Sequence, residues 1–199
     1  CIDKYRIDWP EVELDLTGGF NFAPLPALAR GDLDLVITAD PLPISGIEYI
    51  PLFKYEAMLA LDRHHPLATK EWIEPEDLTD QVLITYPVER ARLDVFTRFL
   101  DLASVEPASI RTAELTPMMV QLVASGRGVA CLPNWALMEY IHNEIIVAKK
   151  LGENGIWATL FAAIREDQKD AVFIEDFLVT ADKTCFSNLS GIKAVNASA

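Results

Sequence analysis

The sequence predicts an open α/β sheet that presents a ligand at its strand ends, and three observations carry that expectation. The first is the segment 123–133, VASGRGVACLP. Ser125, Gly126 and Gly128 supply the permissive backbone on which a helix ends and reverses. Residues 129–132 are an uncharged apolar run suited to a strand covered on both faces, and Pro133 stops it. The second is the order of periodicities, β, α, β and β within the first sixty residues. The third is a 199-residue chain that is 51% hydrophobic, enough to bury a core. Open sheets of this kind bind ligands at strand ends, so a sensor or binding domain is expected.

Taken in order, residues 2–9 read as the tail of a helix stopped by Pro10. Val12, Leu14 and Leu16 alternate with acidic residues, which predicts a half-covered strand over 12–16. Residues 24–30 form a short helix closed by Gly31, and 33–38 a second strand. Two extended segments follow, 47–52 and 56–61, with a break near 51–54. Residues 75–78 make one helical turn with Pro75 at its first position, and 82–85 a strand. The stretch 92–102 reads as an amphipathic helix with Leu93, Phe96, Phe99 and Leu100 on one face. A strand over 109–113 leads to a helix over 118–125, with Thr116 as its cap and Pro117 in its first turn. After the strand 129–132, Asn134 caps a helix over 135–140. Strands over 145–149 and 157–164, a helix over 171–184 and a fraying tail complete the chain.

Charge narrows the function. Thirty acidic against 17 basic residues give a net charge of −13, a surface that repels phosphate backbones. The chain is therefore not expected to grip nucleic acid by itself. Cys1, Cys131 and Cys185 are isolated in sequence, fitting reduced thiols in a cytoplasmic protein, with neither zinc nor a disulfide framework implied. No run approaches the ~18 apolar residues of a membrane span, and the first residues do not read as a signal peptide.

Four segments in fixed order carry a family resemblance: ALARGDLDLVIT (27–38), HPLA (65–68), IEPEDL (73–78) and VASGRGVACLP. Together they resemble the effector-binding domain of LysR-type transcriptional regulators. More narrowly, WPEVELDL, the segment from Leu61 through YPVERARLDVF, and LPNWALMEY are similar to a homocysteine-responsive subgroup that activates methionine biosynthesis genes. The resemblance implies a type II periplasmic-binding-protein-like fold of two Rossmann-like α/β lobes joined by two crossover strands. Residues 1–54 and 160–186 would form lobe I, residues 55–159 lobe II, and 187–199 a flexible tail. The effector, best taken as L-homocysteine, would lie between the lobes. Against the family pattern the chain enters partway along the first helix. The preceding strand, the winged helix-turn-helix and the linker helix are expected outside it, with DNA bound only through that missing module. Relatives pair antiparallel, so a homodimer or homotetramer is implied.

Candidate site residues are read with their competing roles. Thr38 and Asp40 end a buried strand, where they either meet an effector or make an Asp-Pro turn. Tyr86 and Pro87 end the matching strand of the other lobe; Tyr86 would cover an apolar side chain. Arg90 either pairs an effector carboxylate or neutralises Glu89 or Asp94. Leu115 and Thr116 open a helix whose free N–H groups form an anion site without a basic side chain, or simply an ordinary cap. Phe22 either closes over a ligand or packs on the hinge. Ile2, Tyr5, Trp135 and Met138 lie on amphipathic stretches that meet a second protomer or pack within the chain. His64-His65 is not read as a metal pair, since adjacent residues seldom share a face. No acid/base pair, nucleophile elbow or phosphate loop is present, so catalysis is not expected and no cofactor beyond a small co-effector is implied. The competing non-catalytic reading is a solute-binding protein for a small amino acid.

Overall fold

A computed structural model describes residues 1–18 and 23–195. The chain divides into two compact units, Cys1–Lys54 with Thr159–Ala199, and Tyr55–Ala158. It leaves the first unit within the strand β2 (Ile47–Leu61) and returns within β8 (Ile156–Arg165).

The first unit contains α1 (Ile2–Asp8), α2 (Pro24–Arg30), β1 (Leu35–Thr38) and α6 (Val172–Asn188). Pro24 sits in the first turn of α2, where its missing N–H costs no helical bond. Gly31 ends that helix in the left-handed region at φ 84° and returns its N–H to the last turn. Leu25 and Leu28 of α2 thereby pack with Val36, Ile47 and Ala163 in a buried apolar cluster. β1 pairs antiparallel with β8, from Leu35 opposite Ile164 to Thr38 opposite Phe161. The Arg165 guanidinium donates to the Leu33 carbonyl at 2.7 Å and locks the turn between α2 and β1.

α1 packs on α6 through aromatic rings. The Tyr5 ring meets Phe177 edge-on at 5.2 Å, its hydroxyl donates to the Phe173 carbonyl at 2.8 Å, and the Trp9 indole donates to Asp176 at 3.0 Å. Tyr5, expected as an interface candidate, is only 2% exposed and belongs to this packing instead.

Three expectations are corrected in this unit. Residues 12–16 form no strand among the described residues, and Leu16 is 76% exposed. Alternation gives a segment two faces, but a strand also needs a neighbour's backbone to pair with. The expected break at 51–54 is absent, because β2 runs fifteen residues without interruption through Pro51, a residue whose ring disrupts a strand only where its missing N–H would be needed. The tail does not begin at residue 187. α6 continues to Asn188, and Lys193 then pairs with Lys54.

The second unit is built on β4 (Val82–Thr85), β5 (Ser109–Thr112) and β6 (Val129–Pro133), with β4 parallel to both others. β6 runs antiparallel to β2, which also pairs with β7 (Val147–Leu151), two residues later than the sequence pattern places that strand. Strand period separates two cores. Leu59, Leu83, Val129 and Leu151 enter one with Phe96, Phe99 and Leu100. Ala60, Ile84, Ala130 and Leu132 enter the other with Met119, Val120 and Val123 of α4 (Thr116–Ala124) and Leu137 of α5 (Asn134–His142). A strand covered on both faces reads as a continuous apolar run, which is why 129–132 carries no charge.

Gly128 at the start of β6 has φ +149°, and a Cβ there would lie 2.5 Å from the Val82 carbonyl oxygen. Only glycine fits this approach. The stretch expected as one helix over 92–102 is instead a short turn at Arg90–Arg92, a π-helical run at Phe96–Leu100 and a last turn, α3, at Asp101–Ala103. Its apolar face still faces inward: Phe96, Phe99 and Leu100 are buried and Leu93 packs against them.

The HPLA and IEPEDL segments are structural clamps. His65 accepts the Leu67 N–H at 3.2 Å and meets Gln81 at 3.0 Å. Lys70 Nζ binds both oxygens of Asp77 at 2.6 Å, while Asp77 accepts the Glu74 N–H at 2.9 Å. Between them β3 (Trp72–Ile73) is held parallel to β7.

Candidate functional site

In the second unit the chain visits β4, β5 and β6 in that order, yet β4 lies between the other two. The direction of winding therefore reverses at β4, and a crevice at the carboxyl ends of such strands is the place where open α/β sheets take ligands. β4 ends at Thr85 and leads to Tyr86, β5 leads to Ala113–Thr116, and β6 ends at Pro133 and leads to Asn134 and Trp135.

At this edge the Tyr86 hydroxyl and Thr116 Oγ1 are 2.6 Å apart, joining the end of β4 to the first turn of α4. Burial raises the Tyr86 phenol pKa and the Thr116 hydrogen bond partly offsets it, so the phenol stays protonated as a neutral donor or acceptor. Leu115, rather than Thr116, holds the cap position of α4, and it makes no side-chain capping bond. The expected capping role of Thr116 is thus corrected: its hydroxyl is spent on Tyr86. Pro117 lies in the first turn and brings no N–H of its own. What the structure places there is the positive end of a helix dipole beside two hydroxyls, which binds an anion with or without a basic side chain.

Arg90 does not supply one. Its guanidinium donates to Glu106 through two nitrogens at 2.8 Å, also binds Asp101, and lies 4.1 Å over the Phe96 ring. The expected neutralisation by Glu89 or Asp94 gives way to this arrangement, in which Asp101 and Glu106 take the guanidinium. Those hydrogen bonds, Glu106 foremost, raise the Arg90 pKa. Pro87 and Leu115 are exposed, Leu115 by 59%. In the first unit the Thr38 hydroxyl accepts the Asp40 N–H at 3.0 Å, a local turn at the end of β1. Phe22 lies outside the described residues. Ile2, Trp135 and Met138 are half-buried.

Sequence reading missed the association of Tyr55, Asp94 and Cys131 on the other face of the same sheet. Tyr55, 4% exposed, has its phenol pKa pushed far up, first by burial and then by the Asp94 charge; Cys131 and Tyr86 also act on it. Burial, aided by Asp94, pushes the Cys131 thiol up to about 12, so this cysteine is protonated and unreactive at neutral pH. Asp94 pairs with Arg98 at 3.0 Å. Asn134 is 9% exposed and accepts the Trp135 N–H at 2.9 Å, whereas the buried Trp135 indole nitrogen has no hydrogen-bond partner. Tyr55 and Cys131 lie inside β2 and β6, and no local pattern marked their meeting with Asp94. Among the described residues no cluster of His, Cys, Asp or Glu is arranged to hold a metal ion, and no helix is long and apolar enough to cross a membrane. The chemistry offered is recognition by neutral hydroxyls, backbone donors and aromatic surface.

Comparison with known proteins agrees with this reading of the fold. Residues 1–183 match the LysR substrate binding domain family. The chain is 41% identical over 194 residues to the HTH-type transcriptional regulator MetR of Escherichia coli (strain K12), covering 98% of this chain and 61% of that protein. It is 43% identical over 186 residues to MetR of Salmonella typhimurium, covering 93% and 58%. The chain thus spans about three-fifths of the length of these curated relatives. The regulatory domain of MetR, a LysR family regulator from N. meningitidis, superposes with a TM-score of 0.84 at 34% identity, covering 98% of this chain and 90% of that one. The alternating two-faced sheet, the reversal at β4 and the matched residues together place this chain in the LysR substrate-binding domain family, with its periplasmic-binding-protein-like fold.

Proposed function

We propose that this chain is the effector-sensing part of a transcriptional regulator of methionine biosynthesis genes, and that its effector is a small sulfur-bearing amino acid, L-homocysteine first. The observation that carries the ligand class is the first turn of α4, where the Tyr86–Thr116 pair stands beside helix donors and Arg90 is committed elsewhere. An amino-acid carboxylate fits such a site, because helix N-termini bind anions without a cation. Tyr86 then covers the side chain, with Pro87 and Leu115 at the rim. Thr38 and Asp40 offer the corresponding strand end in the first unit. Likeness to MetR regulators supports the methionine connection.

In this proposal the domain works in the cytoplasm as a homodimer or homotetramer. Ile2, Trp135 and Met138 are its interface candidates, and DNA is bound by a segment outside this chain. The net charge of −13 fits a domain that leaves DNA contact to another module. The effector acts by binding one conformation better than another, without being chemically changed.

Calorimetric titration of the chain with L-homocysteine, L-methionine and L-cysteine tests the effector. Saturable binding of homocysteine, at least tenfold tighter than the other two, is expected. Equal affinity for all three, or binding by none from a folded sample, overturns the assignment.

A further inference from the structure

Four residues past Tyr86 the chain makes the short turn Arg90–Arg92, and the Arg90 side chain meets three groups at once. It lies 4.1 Å over the Phe96 ring, its Nε donates to Asp101 at 3.1 Å, and its two terminal nitrogens donate to the two Glu106 oxygens at 2.8 Å. All of these residues belong to the second unit. Phe96 and Asp101 are five apart in sequence, a spacing that an α-helix does not bring together, since its facing neighbours are three and four apart. Here the Asp101 N–H donates to the Phe96 carbonyl, the i→i+5 bond of a π-helix. That winding sets the ring and the carboxylate one above the other, so a single guanidinium stacks on the first while pairing with the second. Single π-turns occur often at functional sites.

The turn held by this cradle is the one that carries Tyr86 and Pro87 off the end of β4. Its backbone bonds are short-range, from the Val88 N–H to the Tyr86 carbonyl and from the Arg92 N–H to the Glu89 carbonyl, both at 2.9 Å. Tyr86 meets Thr116 at the near end, and Arg90 is gripped at the far end. A lone exposed ion pair stabilises little, but a two-pronged fork stacked on a ring also fixes a direction. We propose that Arg90 is a positioning residue for the candidate site: the π-wound cradle orients the 86–90 turn so that Tyr86 stands beside the first turn of α4. Arg90 thereby acts on the effector through Tyr86 rather than by pairing its carboxylate. Its effect on homocysteine rests on the effector-sensing reading above, whereas the orientation of the turn does not.

Three variants test it: Arg90→Gln removes the fork, Arg90→Lys keeps the charge without the fork, and Glu106→Gln weakens the cradle while leaving Arg90 in place. In Arg90→Gln the ring resonances of Tyr86 are expected to shift in the NMR spectrum and amide exchange at Val88 to quicken about tenfold, with smaller changes of the same kind in the other two. Unmoved Tyr86 resonances with unchanged Val88 exchange overturn the positioning role; should Arg90→Gln not fold, Glu106→Gln decides. Homocysteine affinity is expected to fall about tenfold in Arg90→Gln and less in Arg90→Lys. Tyr86→Phe combined with Arg90→Gln is expected to lose no more affinity than the worse single variant, because both act through one group. Losses that simply multiply show Arg90 meeting the effector by itself and overturn its action through Tyr86. If the parent does not bind homocysteine, the effector reading falls, and the Tyr86 resonances and Val88 exchange still decide the orientation of the turn.

Discussion

In the second unit, β4 and β6 send alternate residues into two cores, so Leu83 and Ile84 are both 0% exposed although they point to opposite faces. In the first unit α1 is instead anchored to α6 through the Tyr5, Phe177 and Trp9 side chains. The difference is one of redundancy. A sheet covered on both faces spreads its burial over many aliphatic contacts, each replaceable in part. A helix held by two or three aromatic contacts depends on each of them. The second unit is therefore expected to open last and α1 first in native-state hydrogen exchange.

The contrast breaks most sharply at Gly128. Gly128→Ala forces a Cβ against the Val82 carbonyl at a left-handed backbone, and about 4 kcal/mol of the second unit's stability should be lost through strain and overpacking. Urea unfolding followed by region-resolved exchange should show Tyr55–Ala158 opening first. Tyr5→Ala attacks the other unit and should cost about 3 kcal/mol, confined to exchange in α1 and α6; Tyr5→Phe, which loses only the bond to Phe173, should cost about 1 kcal/mol. Equal protection losses in both units for either variant would contradict the division of labour.

Tyr86→Phe tests the site rather than the scaffold. It removes the hydrogen bond to Thr116 at a cost of about 1 kcal/mol, read as a shift in urea midpoint, and homocysteine affinity should fall about fivefold if the pair frames the carboxylate. Between pH 9 and 10 an effect of similar size, about 1 kcal/mol, is alkaline. The Cys131 thiol titrates near 9 when unfolded and at about 12 when folded, so the folded state binds more protons across that interval. Its contribution is present below pH 9 and is lost as pH rises toward 12, at up to about 1.4 kcal/mol per pH unit. Cys131→Ala should flatten the loss of stability measured between pH 9 and 10, where the unfolded thiol titrates and the unfolded Tyr55 and Tyr86 phenols are only starting to.

Local chemistry made much of this legible. The glycines and Pro133 around 123–133 marked a strand between two helices because those residues restrict or free the backbone regardless of neighbours. The apolar face of 93–100 was readable from spacing, even though its helix is π-wound, because spacing reports the buried side and not the hydrogen-bond step. The misread elements share one cause, dependence on a distant partner. Residues 12–16 have strand alternation without a paired edge, and Pro51 reads as a break inside an uninterrupted strand. Arg90 illustrates the same point at the site. Its nearest acidic neighbours in sequence are Glu89 and Asp94, but the chain brings Asp101 and Glu106 to its fork.

The sequence by itself determined the class of fold, the strongly acidic net charge, and the turn at Gly128. Each follows from composition or from the conformational freedom of single residues. Tertiary structure alone decided that β4 lies between β5 and β6, that Tyr86 meets Thr116 across thirty residues, that Asp94 acts on Tyr55 and Cys131, and that Lys193 closes on Lys54. Contacts between residues far apart in sequence depend on which segments pack together. That choice is made by burial summed over the whole core and leaves no mark in the local pattern.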